Sequence, residues 1–239
     1  MSLNPCLDAI LVELARPEQV LALSHYSRDP GSSSIPAGIA ARFAVTGGTA
    51  EEVIALGPDL VLASSFLPPP TRAALERAGL RVATFGSPAS LAESTAQVRR
   101  VAHLVGDADS GEALVAAMER AAAPVPPDNS IDTLLWQPGE IVAGEATLVV
   151  ELLRTKGFAS HAAAMGLGQA DFVALETVLA HPPELLLVAG DSAGQRHPLL
   201  QQLPGTRAVP LAPNLLFCGG PTVIALGKRL DDLRAELRP

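Results

Sequence analysis

Thr49-Ala50-Glu51-Glu52-Val53-Ile54-Ala55-Leu56-Gly57-Pro58-Asp59-Leu60-Val61-Leu62 is the stretch on which the fold turns. Thr49, with Glu52 three residues on, is a capping-box pattern in which a hydroxyl and a carboxylate satisfy orphan N–H groups of a first helical turn. Ala50–Leu56 reads as a short helix, and Asp59–Ser64 as a strand bounded by turn residues. Outward from this unit the same alternation repeats. Val20–His25 and Arg81–Phe85 are strand-like, while Leu7–Ala15 and Thr71–Ala78 are helical, the latter stopped by Gly79. It returns in the second half, with strands at Ile131–Trp136, Glu184–Ala189 and Ala208–Leu211 and helices at Leu148–Lys156, Leu175–Ala180 and Thr222–Leu237. Strands alternating with helices imply right-handed βαβ units and parallel sheets. The fold class is α/β, in two lobes.

Between the halves, Ser90-Leu91-Ala92-Glu93 is a second capping box, opening a helix to about Leu104. After Gly106–Ser110 another helix runs to about Ala123, with Leu114, Ala117, Met118 and Ala121 on one face. At 1.5 Å per residue it spans roughly 20 Å, a length suited to a strut between lobes. An ordinary surface helix before a linker is the alternative. Pro124-Val125-Pro126-Pro127-Asp128 breaks it. The expected organisation is an N-terminal lobe over 1–106, an interlobe helix and linker over 107–126, and a C-terminal lobe over 127–239.

Composition narrows the function. The chain has 239 residues, 48% hydrophobic and 18% charged, which excludes disorder and supplies cores for two lobes. No apolar run of about 18 residues is present to span a membrane. Seventeen Lys+Arg against 25 Asp+Glu give a net charge of −8, and no basic block exists to grip a phosphate backbone. Nucleic acid is therefore not expected as a partner. With aromatics at 3%, the cores must be built from Leu, Val, Ile and Ala, so each aromatic outside them is noticeable. Two cysteines, one per half, cannot hold a metallocluster.

In this order the pieces resemble the periplasmic substrate-binding proteins of ABC importers that carry cobalamin, iron–siderophore complexes or haem. Besides 49–62, the resemblance rests on Ser2–Asp8, similar to that family's first strand-to-helix turn. It rests also on Ser24-His25-Tyr26-Ser27-Arg28-Asp29-Pro30, nearest the cobalamin binders, on Gln137–Thr147, and on Glu176 through Leu185. The resemblance implies two lobes joined by one helix, with a ligand cleft between them. It also implies a monomeric periplasmic protein, its signal peptide absent here and expected to have been removed, that passes a metal chelate to an ABC permease without chemical turnover. No resident cofactor is expected. The cargo is a corrinoid or a ferric siderophore, with haem behind them, since haem-binding relatives often place a Tyr near Thr46–Thr49 and this chain has none there.

The residues assigned to the ligand on this basis are Asn4, Pro5, Cys6, Tyr26, Ser27, Arg28, Gly47, Gly48, Ser64, Ser65, Gly144, Ser192, Phe217 and Cys218. Tyr26, the single Tyr, reads either as a ring packed under its loop or as a flat amphipathic ring able to stack on a macrocycle. Ser27 and Arg28 beside it could meet amide or carboxylate groups. An anionic siderophore would call on Arg28, Arg42, Arg72 and Arg196. Glu52 falls where the family presents a surface acid to the transporter, a role compatible with helix capping. Cys6 and Cys218 fall, by the resemblance, in turns facing the cleft from opposite lobes. Two free thiols are expected there, because a bridge needs Cα atoms within about 7 Å and would lock the cleft.

Two other chemistries have sequence signals. Gly190-Asp191-Ser192-Ala193-Gly194 matches G-x-S-x-G after a strand, the setting of a hydrolase nucleophile. That triad order needs an acid and then a His downstream, yet the only later His is His197, with no acid between. A bare metal-ion binder is the further alternative, although His25, His103, His161, His181 and His197 form no H-x-x-x-H pair.

Overall fold

The computed structural model describes residues 1–126, 130–168 and 171–237; Pro127 and Asp128 of the expected break lie outside them. Within 49–62 the chain folds as its chemistry dictates. The Thr49 hydroxyl accepts from the Glu52 N–H at 3.3 Å, and the helix runs Ala50–Leu56. Gly57 closes it at φ 59°, its N–H directed to the Val53 and Ile54 carbonyls, a left-handed cap that glycine adopts without a Cβ penalty.

Contacts divide the chain into two units. Unit 1 comprises Met1–Pro88, Ala92–Glu119 and Phe217–Ile224; unit 2 comprises Ala89–Leu91, Arg120–Leu216 and Ala225 onward. Unit 1 contains α1 (Pro5–Leu14), β1 (Leu23–Ser24), α2 (Ala37–Ala40), β2 (Val45–Thr46), α3 (Ala50–Leu56), β3 (Val61–Ser64), α4 (Pro69–Arg77) and β4 (Val82–Phe85), with most of α5 (Leu91–Val105) and α6 (Ala108–Ala121). β1 pairs with β2, and β3 with β4, both in parallel. The first residues stitch the pairs together: Ser2 N–H donates to Ala22 O at 3.1 Å and Leu3 N–H to Leu62 O at 2.9 Å. Met1, Ala22, Val53, Val61 and Leu75 form the core beneath.

Unit 2 contains β5 (Ile131–Gln137), β6 (Ile141–Val142), α7 (Leu148–Thr155), β7 (Phe158–Ser160), α8 (His161–Ala164), α9 (Leu175–Ala180), β8 (Leu185–Val188), β9 (Arg207–Pro210) and most of α10 (Thr222–Leu237). β5 pairs in parallel with β7 and β8, β8 pairs in parallel with β9, and β6 runs antiparallel to the end of β5. β5 and β8 are nearly continuous buried runs, as in parallel sheets covered on both faces. Trp136 is fully buried there, its indole N–H donating to Val173 O at 2.8 Å. The strands that sequence reading passed over, β2, β6 and β7, have two or three residues each, too few to display a period.

Candidate functional site

In unit 1 the carboxyl ends of the parallel strands carry the candidate residues, and α1 anchors the end of β1. Asp8, on α1, is fully buried; its carboxylate accepts from the Ser24 N–H at 3.2 Å and from the Ser24 hydroxyl. Burial pushes its pKa up to about 7, against the opposing hydrogen bonds from Ser2 and Ser24. Ser24 thus anchored, the chain turns through a single 3₁₀ segment, His25–Arg28. Tyr26 is 45% exposed, its ring 4.0 Å from that of His25, so it is not packed beneath its loop. Ser27 is a correction: it is buried, its hydroxyl facing no hydrogen-bond partner, and so it cannot stand with its neighbours at the surface. The 3₁₀ turn rotates it inward while Tyr26 and Arg28 point out. Arg28 is partly committed, donating to Phe43 O at 2.7 Å.

After β2, Gly48 takes φ 81°, a turn that favours glycine. Glu52 holds this turn. Its carboxylate accepts from the Thr46 hydroxyl and the Gly47 N–H, each at 2.8 Å, bonds that keep its pKa below the usual range. The expected reciprocal capping box is therefore half made: the hydroxyl half is present, and the carboxylate goes to the preceding turn, where two donors converge. Glu52 remains an exposed anion. After β3, the Ser64 hydroxyl accepts from Phe66 N–H at 3.1 Å and Ser65 is exposed. Phe66, which sequence reading did not single out, is 80% exposed. Its apolar ring on so aromatic-poor a surface was the available signal.

The cysteines are the second correction. Cys6 and Cys218 are joined in a disulfide, with Cα atoms 5.1 Å apart. Both belong to unit 1, because Phe217–Ile224 returns to it after the chain has traversed unit 2. The Gly220 N–H donates to the Ser94 hydroxyl at 2.8 Å on α5, which holds the returning segment there. Asn4, beside Pro5 and Cys6, caps α1 by accepting from the Cys6 and Leu7 N–H groups. Phe217 is 50% exposed.

In unit 2, Gly144 is buried, its carbonyl accepting from the Thr147 hydroxyl at 2.7 Å. Ser192 follows β8 as anticipated, but its hydroxyl donates to the Glu140 carboxylate and accepts from Gln195 N–H. The ring of His197 instead accepts from Leu199 N–H at 3.3 Å through Nδ1. The acceptor of the Ser192 hydroxyl is thus the Glu140 carboxylate rather than the His197 ring. His161 bonds Asp132 at 2.7 Å and His181 O at 3.0 Å, a local staple. Among the described residues no three His, Cys, Asp or Glu side chains gather as a metal-ion site.

Parallel α/β units with candidate loops at their carboxyl edges agree with a family model described as periplasmic binding protein, which matches residues 1–210. The chain belongs to the periplasmic binding protein family. This is a family of transport binding proteins rather than of enzymes. Among similar solved structures is the periplasmic haem-binding protein RhuT from Roseiflexus sp. RS-1, at 23% identity, with 97% of each chain covered and a TM-score of 0.73. Others are the Vibrio cholerae haem-binding protein HutB, at 17% identity, 100% of this chain and 98% of that one, TM-score 0.73, and the V. cholerae vitamin B12-binding protein BtuF, at 16%, 100% and 97%, TM-score 0.69. At these identities the likeness is one of fold. A search of curated proteins finds no match. Among the described residues no helix is long and apolar enough to cross a membrane.

Proposed function

We propose that this protein is the extracytoplasmic substrate-binding component of an ABC importer, capturing a metal chelate, a corrinoid or a ferric siderophore, and surrendering it to the permease. Beyond family membership, the observation that carries this reading is the carboxyl edge of unit 1. Tyr26, Arg28, Gly47, Ser65 and Phe66, each shortly after the end of a strand of that unit, are all exposed. Apolar rings can cover the face of a macrocycle or chelate, while hydroxyl, amide and guanidinium donors meet its polar rim. Glu52, an exposed carboxylate kept ionised by the turn it braces, is the unit 1 contribution to docking on a basic surface of the transporter.

Haem is a second reading, favoured by one observation: the Tyr26 phenol lies beside the His25 ring, and phenolate oxygen is a hard donor suited to ferric iron. The protein is a monomer in this account. Native mass spectrometry of protein isolated from its source, with a visible spectrum, tests it, since corrinoids, haem and ferric chelates absorb distinctively. A bound chelate in one-to-one ratio is expected; protein from a chelate-replete source that carries none would count against the reading.

A further inference from the structure

The G-x-S-x-G loop acquires another meaning from what surrounds it. Gln195 is 6% exposed and fully committed: its amide N–H groups donate to Trp136 O at 3.1 Å and Gln137 O at 2.9 Å, while its carbonyl accepts from Ser192 N–H at 3.3 Å. Together with the Ser192–Glu140 bond, this locks the loop onto β5 and fixes the two residues that follow, Arg196 and His197. Both line a groove of about 280 Å³ whose walls include Val188, Leu200, Val209 and Pro210.

The groove's charge is unusual for a chain of net charge −8. No Asp or Glu lines it. Among the described residues the Arg196 guanidinium has neither an acid nor a carbonyl as partner, a state it shares with Arg42, Arg77, Arg81 and Arg120, while Arg16, Arg72, Arg99, Arg154, Arg207 and Arg229 are each paired with an acid; of the five, only Arg196 lines this groove. His197 Nδ1 serves as acceptor for Leu199 N–H, so its neutral form carries the proton on Nε2 and offers a donor. A planar cationic fork, a ring donor and an apolar floor, on a loop tied to β5 through Gln195, together suit a carboxylate on a short hydrocarbon body. A bare inorganic anion would leave that floor unused.

We propose that this groove of unit 2 binds a small organic carboxylate through Arg196 and His197, with Ser192, Glu140 and Gln195 as positioning residues rather than a hydrolytic apparatus. The carboxylate comes either from a free organic acid or from an arm of a chelate. The inference rests on the groove and does not require the importer reading.

The test is a titration of the intact protein with succinate, followed by NMR of the Arg196 and His197 side chains and by calorimetry, with succinamide as the uncharged control. Saturable succinate binding is expected, with little response to succinamide. Arg196→Gln, a substitution at an exposed side chain, should weaken succinate at least about tenfold, as for loss of a charge-assisted bond. His197→Gln should weaken it less, because the amide restores a donor. A parallel titration with ferric citrate separates the sources: weakening by Arg196→Gln in step with succinate marks a chelate arm, and unchanged affinity marks a free acid. Non-saturable succinate shifts, an equal response to succinamide, or unchanged succinate affinity in Arg196→Gln would overturn the proposal.

Discussion

Replacing Asp8 by Asn should change how stability depends on pH, and the sign follows from burial. In the folded protein the Asp8 pKa is raised to about 7 from its ordinary 3.8. The folded state therefore binds the proton more tightly than the unfolded chain. Its contribution is fully present below about pH 4 and is lost as pH rises through 7. Three pKa units at about 1.4 kcal/mol each correspond to about 4 kcal/mol over the whole range, of which about 2–3 kcal/mol falls between pH 5 and 8. Asn retains an acceptor for Ser24 N–H, and the Ser24 hydroxyl can rotate to accept from its amide, so the local network survives. Urea unfolding of both proteins at intervals from pH 5 to 8 gives the answer as a difference, cancelling every other titrating group. The expected result is that Asp8→Asn gains on the parent by about 2–3 kcal/mol across that interval. Parallel curves would refute the reasoning, because Asp8 would then titrate normally. A loss of stability growing with pH would refute it too, by showing that the ionised form is the one the fold prefers.

Three further outcomes follow from the same structure. Denatured, unreduced protein should show no titratable thiol, and Cys6→Ser with Cys218→Ser should destabilise unit 1 by as much as ~5 kcal/mol, the chain-entropy figure for a separation of 212 residues; two free thiols would contradict the pairing. Tyr26→Ala should weaken chelate binding by about 1–3 kcal/mol, and Phe66→Ala similarly, as for lost aromatic anchors, with little change in melting temperature. Loss of stability at full affinity would instead make either ring a packing residue. Glu52→Lys should abolish stimulation of the importer's ATPase with modest effect on folding, and wild-type docking should stay constant between about pH 5 and 8 because the Glu52 pKa is held low; unaltered stimulation would remove Glu52 from the docking surface.

Much of the fold was legible because its signals are local. Gly57, Pro58 and the apolar run behind them announce a helix stop and a strand within a few residues, and Gly79 does the same for α4. What escaped depends on chain segments meeting from far away. By the family resemblance Cys218 falls in the lobe opposite Cys6, yet Gly220 and Ser94 secure its segment in unit 1. Glu52 showed a capping-box spacing, but which donors its carboxylate takes was decided by the Thr46–Gly47 turn folding over it. Ser192 displayed its motif plainly; its partner Glu140 is 52 residues upstream, and no periodicity links them. Ser27 and Tyr26 are adjacent in sequence, so only the 3₁₀ geometry distinguishes the buried one from the exposed one.

The central claim, that the protein holds a metal chelate and does not transform it, is tested most directly by equilibrium titration of ligand-stripped protein with cyanocobalamin, haem and a ferric siderophore, followed by absorption and tryptophan-independent calorimetry. The account predicts saturable one-to-one binding of one of these classes, with the chelate recovered chemically unchanged and affinity reduced in Tyr26→Ala. Absence of binding to all three, or ester hydrolysis that vanishes in Ser192→Ala, would contradict it.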